Sequence, residues 1–514
     1  MTQRISEHLF SQCSETVTAL FGLHFPRKRW RDLERGILCA ARELGFADTA
    51  ACMRWLVTTQ PAKEELDILA VCLTIGETYF FREQKSFAAL ENQILPALLG
   101  ARRGAEKRLR IWCAGCATGE EPYSVAILLH RIIADLPEWN VSILATDVNP
   151  AFLRKGEGGE YGEWSFRGTP RWLKERYFTA NREGRFVITD TIRRMVTFAP
   201  LNLAEDTYPS LTTGTNAMDV IFCRNVLMYF APEQAKMVSA RFHRCLVAGG
   251  WLLVSPSETS ATLFAGFESV HFDQAVFYRK DGNEVAAPPR PDPFRAASTF
   301  SLPQTPTIRT VEKPAVPAPV KPPPPPAAAE VKRNHAKQKG SPYEEALLLY
   351  RQGDYSGAAA KLADYLRTAA AASSSTYEEA ALLLTRSLAN EGNFTAALDW
   401  CEKAIAADRL NPHPYYLQAV IFQERGDDEA AIVTLKRVLY LDHDFVLAHF
   451  ALANLTRRRG KSAEAIRHLD NAANLLRARG DDEILAGAEG MSSRRLAEII
   501  ATTRESIEKA GTGD

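Results

Sequence analysis

Short apolar runs alternate with helical patterns in the middle of the chain. Four of these runs read as strands, namely LRIWCAG, VSILATD, MDVIFCR and GGWLLVSP. Helix-like periodicity lies between them. Strands separated by helices pair in parallel, so residues 76–281 are predicted to form an α/β sheet domain.

The first part of the chain has a different pattern. Residues 1–75 show helical periodicity without strand-like alternation, which predicts a small helical subdomain. The segment RKRWR within it brings together four basic side chains, namely Arg27, Lys28, Arg29 and Arg31. We interpret them as one face of a helix, which either stays solvated or meets an acidic protein.

Residues 282–341 form a proline-rich linker. Fourteen of the 28 prolines of the chain lie between Pro288 and Pro326. Prolines lack backbone donors and favour the extended polyproline II conformation, so this stretch cannot build a core. We expect a semi-rigid spacer between two folded parts.

Helical periodicity returns after the linker and repeats itself. Four glycines recur at intervals of 39, 34 and 34 residues, namely Gly353, Gly392, Gly426 and Gly460. An alanine follows five residues after each, and this combination suits a tight turn between two closely packed helices. Residues 342–478 therefore resemble tetratricopeptide repeats, an all-α solenoid that commonly binds proteins. Pro412 should end the second helix of its unit, and residues 479–514 should form a capping helix or a tail.

Composition and charge exclude several classes of protein. The 514 residues are 46% hydrophobic and 24% charged, which is typical of about two to four folded domains. Lys+Arg and Asp+Glu both number 62, and this balance argues against a general nucleic-acid binder. No apolar run approaches the roughly 18–20 residues of a membrane span, and the first residues lack the apolar core of a signal peptide. We therefore expect a cytoplasmic protein with reduced cysteines and no membrane insertion.

Small and polar residues follow the predicted strands. The first strand leads into WCAGCATGEEPYS, in which Gly115 and Gly119 bracket a tight turn before a helix. The acidic pair Glu120 and Glu121 stands where a phosphate loop needs a lysine, so a nucleoside ligand without phosphates fits better. Asp147 ends the second strand, where a carboxylate is placed to accept both ribose hydroxyls. These residues predict a nucleoside-cofactor site at the carboxyl ends of the strands.

Four sequence motifs together resemble those of the CheR family of chemotaxis receptor methyltransferases. They are ETYFFRE at 77–83, WCAGCATGEEPYS at 112–124, ATDVN at 145–149 and DVIFCRNVLMYF at 219–230. The resemblance covers residues 1–281 and implies a Rossmann-like α/β methyltransferase domain that uses S-adenosylmethionine, with a helical N-terminal subdomain. It also implies a small antiparallel β subdomain inserted at about 160–199, where YFTANREGRFVITDTIRRMVTF shows strand-like stretches around turns.

The resemblance also implies which residues bind the cofactor. By motif these are Gly76, Thr78, Arg82, Glu121, Asp147, Asn202, Leu203, Asn225 and Val226. The sequence does not separate Glu121 from Glu120, and Gly76 stands where some members of the family have an asparagine. No metal is implied, because the CxxC of Cys113 and Cys116 lacks the second ligand pair of a zinc site.

The implied substrate is the side-chain carboxylate of a glutamate on a methyl-accepting chemoreceptor protein. The products are a γ-glutamyl methyl ester and S-adenosylhomocysteine. A glutamate with a pKa of about 4.3 is already ionised at pH 7, so the enzyme must supply placement rather than a base. Arg82 is expected to orient this carboxylate, because a guanidinium matches its geometry. Tyr229 is expected to be a second polar anchor, with a structural ion pair for Arg82 and core packing for Tyr229 as the alternatives.

Two other functions are compatible with the same residues. The methyltransferase could act on another protein or on a small carboxylic acid, or the domain could be a non-catalytic scaffold that senses S-adenosylmethionine. The repeats are expected to bind an unidentified protein partner, a receptor complex or their own catalytic domain. No binding of nucleic acid is expected.

Overall fold

The computed structural model describes residues 5–102, 107–272, 275–280, 341–368, 375–481, 483–485, 487 and 491–511. The predicted linker lies outside these residues, apart from Ser341. None of the helices in the described part of the chain is long and apolar enough to cross a membrane.

The chain begins with a small helical subdomain, as the periodicity predicts. Its helices are α1 (Glu7–Phe21), α2 (Trp30–Glu43), α3 (Thr49–Thr58) and α4 (Lys63–Leu73). They enclose their own core, in which Val17, Leu33 and Met53 are fully buried. The basic segment is not one helix face, because Arg27–Arg29 forms a 3-10 turn ahead of α2.

The helical subdomain also contains a disulfide. It joins Cys39 on α2 to Cys72 on α4, across 33 residues of sequence. The expectation of reduced cysteines is wrong for this pair, because the two helices pack side by side and bring the α-carbons to 5.7 Å. The other seven cysteines are free and buried.

The middle of the chain builds two sheets. Its strands are β1 (Arg108–Ala114), β2 (Asn140–Asp147), β3 (Glu160–Tyr161), β4 (Phe178–Ala180), β5 (Phe186–Ile188), β6 (Val196–Pro200), β7 (Met218–Phe222), β8 (Leu246–Leu253), β9 (Glu268–Phe272) and β10 (Ala275–Arg279). Its helices are α5 (Gln84–Ala89), α6 (Leu95–Arg102), α7 (Glu120–Ile132), α8 (Pro150–Gly158), α9 (Arg171–Tyr177), α10 (Asp190–Arg193) and α11 (Pro232–Cys245).

The large sheet has seven strands in the order β6-β2-β1-β7-β8-β10-β9. The first five of these strands are parallel, and β10 and β9 continue the sheet antiparallel. The chain moves from β1 toward β2 and β6, and it later returns to place β7 on the other side of β1. The carboxyl ends of β1 and β7 therefore flank a topological switch point, where open α/β sheets bind their ligands.

The small antiparallel subdomain is present as expected. It consists of three strands in the order β3-β5-β4. Strand β6 belongs to the large sheet instead, where it pairs with β2 from Val196 to Pro200. The inserted subdomain therefore ends before 199, because the burial of Val196 and Phe198 draws that segment into the main core.

The C-terminal part consists of antiparallel helix pairs. Its helices are α12 (Pro342–Gln352), α13 (Tyr355–Thr368), α14 (Ser375–Asn390), α15 (Phe394–Ala407), α16 (Pro412–Glu424), α17 (Asp428–Leu441), α18 (Val446–Arg458), α19 (Ser462–Arg477) and α20 (Ser493–Gly511). The first eight helices form four pairs, and α20 packs on the last pair through Leu496, Ile500 and Ile507. This is the architecture of tetratricopeptide repeats.

The repeat glycines and alanines have the predicted roles. The glycines lie in left-handed turns between the helices of a pair, with φ from +73° to +82°, at Gly353, Gly392, Gly426 and Gly460. The alanines that follow them are fully buried between the paired helices, at Ala358, Ala397, Ala431 and Ala465. Pro412 does not end a helix, because α15 already ends at Ala407 and Pro412 opens α16. Proline is favoured at the first helical position, where no backbone hydrogen bond is lost.

The repeats contact the sheet domain through these same turns. Arg110 at the start of β1 forms a buried ion pair with Glu424 on α16. The amide of Asn140 donates a hydrogen bond of 2.8 Å to the backbone carbonyl of Glu424. The guanidinium of Arg108 lies 4.5 Å from the ring centre of Phe394. The repeat array is thus packed on the sheet rather than only tethered to it.

Candidate active site

A pocket lies at the switch point of the large sheet. The loops that follow β1, β2 and β7 form its floor, and the helical subdomain and the segment 74–82 close it from the other side. The pocket encloses about 1110 Å³, including its open mouth. Among the sequence-predicted residues it brings together Thr78, Arg82, Glu121, Asp147, Asn202, Leu203, Asn225, Val226 and Tyr229.

The loop after β1 approaches the pocket with its backbone. Gly115 has φ +76°, and a Cβ there would meet Val226 Cγ2 at 2.5 Å. Gly119 has φ +93° and precedes α7. Only glycine permits this close approach of the two loops, so the tight turn that the sequence predicts is a feature of the pocket wall.

Asp147 provides a buried carboxylate at the end of β2. Its side chain accepts hydrogen bonds from the backbone N–H groups of Ala117 and Asn149, both at 2.9 Å. Burial raises the pKa of the Asp147 carboxyl to about 6, although these hydrogen bonds pull it downward. Each carboxylate oxygen keeps further lone-pair capacity toward the pocket, as acceptance of ribose hydroxyls requires.

Asn225 and Val226 lie in a strained turn after β7. Asn225 has φ +59°, a conformation that a non-glycine residue adopts only when its surroundings hold it. The buried carboxylate of Glu258 holds this turn, because it accepts the backbone N–H groups of Asn225 at 2.6 Å and Val226 at 2.8 Å. The Oδ1 atom of Asn225 is buried without a hydrogen-bond partner in the described structure. An orphaned acceptor of this kind fits a ligand that donates a hydrogen bond.

The two acidic residues that begin α7 point in different directions. Glu121 lines the pocket, whereas Glu120 points away and accepts hydrogen bonds from Thr118 and Ser165. Glu121 is therefore the candidate cofactor contact.

Glu121 forms a buried ion pair with Arg224. The guanidinium of Arg224 donates to Glu121 at 3.0 Å and to Glu83 at 2.9 Å. Burial raises the pKa of Glu121, and Arg224 counteracts part of this rise. Burial alone would lower the pKa of Arg224, but the two carboxylates outweigh it and the pKa is raised. Arg224 therefore remains charged. Its hydrogen bonds hold the wall of the pocket together, so we do not assign it to substrate binding.

The segment from 76 to 82 supplies a second wall. Thr78 and Arg82 line the pocket, and Arg82 donates a hydrogen bond of 2.6 Å to the carbonyl of Glu77. No ion pair of Arg82 occurs within the described residues, which argues against a purely structural role. Gly76 is not part of the wall. A Cβ at Gly76 would meet the ring of Phe152 at 2.6 Å, so a glycine is required beside that ring, and a cofactor contact at Gly76 stays a prediction.

Asn202 and Leu203 form the wall that follows β6. The amide of Asn202 donates to the carbonyl of Leu20 at 2.7 Å and to Glu205 at 3.1 Å. Its Oδ1 atom accepts the N–H of Ala204 at 3.0 Å. The side chain of Asn202 is thus engaged within the protein, and it ties this loop to the helical subdomain.

Tyr229 stands where the helical subdomain meets the sheet domain. The N–H of His24 donates to the carbonyl of Tyr229 at 2.7 Å, and Leu23 pairs with Phe230 as an isolated antiparallel bridge. Tyr229 lines the pocket and is half-buried, so it is not a residue of the closed core. The guanidinium of Arg29 lies 5.4 Å from the centre of its ring.

The charged residues that the sequence analysis did not assign to the site include Arg29 and Arg224, which line the pocket, and Glu258, which supports its Asn225 turn. Arg29 belongs to the basic RKRWR segment, which the sequence analysis interprets as a helix face that stays solvated or meets an acidic protein. Arg224 lies inside the quoted DVIFCRNVLMYF motif and could have been found there. Glu258 carries no local signal, because its role depends on a turn 33 residues earlier in the chain.

The residues present fit S-adenosylmethionine. The buried Asp147 suits a ribose, the orphaned Asn225 acceptor suits a base, and Glu121 suits the cationic part of the ligand. No phosphate is required, in agreement with the acidic start of α7. The described residues contain no cluster of His, Cys, Asp or Glu arranged to hold a metal ion.

Comparison with known proteins gives one matching family and several relatives. Residues 76–276 match the family described as CheR methyltransferase, SAM binding domain. Chemotaxis protein methyltransferase 1 of Pseudomonas aeruginosa is 34% identical over 218 residues, which are 41% of this chain and 77% of that protein. A chemotaxis protein methyltransferase of Borreliella burgdorferi is 29% identical over 279 residues, which are 54% of this chain and 95% of that protein.

A further relative extends into the repeats. A probable biofilm formation methyltransferase, WspC, of Pseudomonas putida is 28% identical over 427 residues, which are 82% of this chain and 88% of that protein. The pocket lies at the switch point of the sheet, and the matched domain and these relatives indicate the same family. The chain therefore belongs to the CheR family of S-adenosylmethionine-dependent methyltransferases.

Proposed function

We propose that the protein methylates glutamate side chains of methyl-accepting chemoreceptor proteins to form glutamate methyl esters. The observation that carries this proposal is the charge arrangement of the pocket. The cofactor side contains Glu121 and Asp147, whereas two arginines also line the pocket: Arg29 pairs with the exposed Asp32 at 3.4 Å, and Arg82 forms no ion pair within the described residues. The names of the relatives that act in chemotaxis support the same substrate class.

Bound S-adenosylmethionine supplies an electrophilic methyl group. We propose that Thr78, Glu121, Asp147, Asn225 and Val226 hold it, and that Asn202 and Leu203 shape the wall beside it. Asp147 accepts hydroxyl hydrogen bonds in its ionised form. Glu258 acts indirectly, because it fixes the turn that presents Asn225.

The substrate carboxylate needs orientation rather than activation. It is ionised at pH 7, so no general base is required. Arg82 makes one hydrogen bond to a backbone carbonyl, and its other N–H groups have no partner within the described residues. We assign Arg82 to the orientation of the carboxylate and Tyr229 to a second polar contact, with Arg29 packed against the Tyr229 ring. Placement of this kind accounts for about 7–11 kcal/mol of a reaction barrier.

The repeat array is proposed to recruit or regulate through a protein partner, and the protein is proposed to work in the cytoplasm. The packing of the repeats on the sheet domain supports a role connected to methyl transfer.

The test uses the full chain, S-adenosylmethionine with a labelled methyl group and a chemoreceptor fragment. The proposal expects incorporated label that mild alkali releases as volatile methanol, because carboxyl esters hydrolyse readily in base. Label that resists alkali would contradict it. Arg82→Ala should lower kcat by about 100-fold or more, since placement is lost. Arg171→Ala removes an exposed arginine paired only with Glu175 and should leave the rate unchanged.

Binding separates the remaining alternatives. Calorimetric titration of Arg82→Ala with S-adenosylhomocysteine tells a lost catalytic contact from a lost cofactor site. A wild-type protein that binds S-adenosylhomocysteine but transfers no label to any receptor fragment would favour another substrate or a non-catalytic scaffold.

A further inference from the structure

A cleft separates the repeat array from the large sheet, away from the mouth of the cofactor pocket. It encloses about 1640 Å³, including its open mouth. One wall consists of β2, β6 and the loop 211–214, and the other consists of α16, α18 and α20. The cleft therefore lies on the inner face of the repeats, where successive first helices stand side by side.

The sheet wall presents an unpaired strand edge. Strand β6 is the last strand of the sheet and pairs with β2 on one side only. Within the described residues, no backbone hydrogen bond joins its outer edge to another segment. Thr197, in the middle of β6, is exposed and lines the cleft. An exposed edge of this kind is a template for an extended peptide, which adds as a further strand.

The repeat wall opposite this edge is apolar, and of the residues named next only Ile499 is partly exposed, whereas the other three are packed in the repeat core. Tyr416 and Val420 on α16, Phe450 on α18 and Ile499 on α20 line the cleft. Polar groups stand between them at Gln423 and Asn454. This mixture suits a peptide whose side chains point alternately to the two sides.

The lining of the cleft contains more basic than acidic side chains. Its lining contains four arginines and one carboxylate, Glu424, which is already paired with Arg110. The three remaining arginines are Arg194, Arg457 and Arg458. Within the described residues, Arg458 pairs with one carboxylate, Asp428 at 3.4 Å, and Arg194 pairs with none.

Arg457 is the most deeply placed of these arginines. Its Nε atom is buried without a hydrogen-bond partner in the described structure. Burial lowers the pKa of Arg457, and the carboxylate of Glu157 opposes this effect. A guanidinium held away from water in this way gains most from an incoming carboxylate.

The chain's own linker does not match this cleft. Residues 283–340 carry nine basic and four acidic side chains, so the linker has the same sign of charge as the cleft. Like charges disfavour that contact.

We propose that this cleft binds an extended acidic segment of a partner protein, in which acidic and apolar residues alternate. Backbone groups of the segment pair with the edge of β6, its carboxylates meet Arg194 and Arg457, and its apolar side chains pack beside Ile499 on the repeat wall. The inference rests on the proposed function for the role of the repeats, and it adds the chemistry of the partner. The cleft and the cofactor pocket share Leu201 in their walls, so the occupant lies next to the methyltransferase site.

The test measures fluorescence anisotropy of a labelled peptide with alternating glutamate and valine, mixed with the full-length protein. A peptide with alternating lysine and valine is the charge control. We expect binding of the first and none of the second, with affinity that falls as salt is raised. Failure of the glutamate peptide to bind, or equal binding of both peptides, would overturn the proposal.

Variants locate the binding. Arg194→Gln and Arg457→Gln should each weaken the affinity about five- to tenfold, since each removes a charge-assisted contact. Arg194 is exposed, so its variant tests the proposal even if Arg457→Gln fails to fold. Arg467→Gln is the matched control, because Arg467 lies exposed on α19 outside the cleft. Unchanged affinity in Arg194→Gln, or an equal loss in Arg467→Gln, would place the peptide elsewhere and overturn the proposal.

Two further measurements complete the test. A glutamate peptide with N-methylated backbone amides keeps its charge but cannot pair with β6, and we expect it to bind much more weakly. Equal binding would exclude strand pairing. Calorimetry with S-adenosylhomocysteine should give the same affinity for Arg194→Gln and the wild type. Because peptide binding is read without methyl transfer, failure of the proposed glutamate reaction would leave this result standing, and the reverse also holds.

Discussion

Left-handed backbone has different roles in the cofactor pocket and in the repeat array. In the repeats it occurs at glycines of the tight turns, where it carries no steric cost. Near the pocket it occurs not only at Gly115 and Gly119 but also at non-glycine residues, with φ of +54° at Phe81, +59° at Glu83, +46° at Ala117 and +59° at Asn225. Such residues cost of order 1–3 kcal/mol each and persist only when their surroundings hold them.

The difference shows where each region obtains its stability. The repeats distribute it over many similar contacts between helices, such as the buried alanines after each turn. The pocket depends on a few buried charges, above all Arg224 and Glu258, which hold the strained loops by hydrogen bonds and ion pairs. Single substitutions should therefore damage the pocket far more than the repeats.

The largest effect is expected for Arg224→Ala. The change leaves Glu121 and Glu83 buried or half-buried without their common partner, which should cost about 4 kcal/mol of unfolding free energy. Urea unfolding measures this change. Arg82→Ala, in the same pocket but without an ion pair, is the control and should lose less than about 1 kcal/mol. Similar stabilities of the two variants would show that the buried charges do not hold the pocket.

The second largest loss of unfolding free energy is expected at the contact between the repeats and the sheet. Glu424→Gln leaves the buried Arg110 without its carboxylate and should cost about 3 kcal/mol. Glu429→Gln breaks the exposed pair with Arg459 and should cost less than about 1 kcal/mol. Equal costs by urea unfolding would mean that the repeats are not packed on the sheet in solution.

Asp147→Asn should weaken cofactor binding without unfolding the protein. The loss of a charged acceptor in a buried site should lower the affinity for S-adenosylhomocysteine by roughly 10- to 100-fold. In the wild type the pKa of Asp147 is about 6, so the affinity should be constant above neutral pH and fall as the pH drops through 6. Calorimetry over this range checks both points. A steep pH dependence that persists in Asp147→Asn would assign the titration to another group.

The smallest loss of unfolding free energy is expected when the glycine of a repeat turn is replaced by alanine. Gly460→Ala and Gly426→Ala both force a left-handed alanine, at about 1–2 kcal/mol. Only at Gly426 would the new Cβ also meet the sheet domain, 2.8 Å from Asn140 Cγ, whereas nothing lies within 4 Å at Gly460. Gly426→Ala should therefore unfold at the lower urea concentration. The opposite order would contradict the docking of this turn.

Most of the residues that the sequence predicts for the site line the pocket, because they lie in short motifs, several of them at strand ends. Asp147 and Asn225 follow buried strands directly, so the sheet alone brings them together. Residues that act across long loops were missed. Glu258 supports a turn 33 residues away, and Arg29 reaches the pocket only because the helical subdomain folds over it.

In the repeats the sequence predicted the architecture but not the contacts. A period of 34 residues fixes helix pairs, while a contact such as that of Glu424 with Arg110 depends on how the whole array packs. At Gly76 the motif predicts a cofactor contact, and the structure adds a packing reason for the glycine that the sequence could not show, because a Cβ there would meet the ring of Phe152.

The most direct test of the account is tandem mass spectrometry of a chemoreceptor fragment after incubation with the full-length protein and S-adenosylmethionine. The account predicts a mass increase of one methylene group, located on a glutamate side chain and absent when Arg82→Ala replaces the wild type. The same increase on a lysine, an arginine or a chain terminus, or no increase on any fragment while S-adenosylhomocysteine still binds, would contradict it.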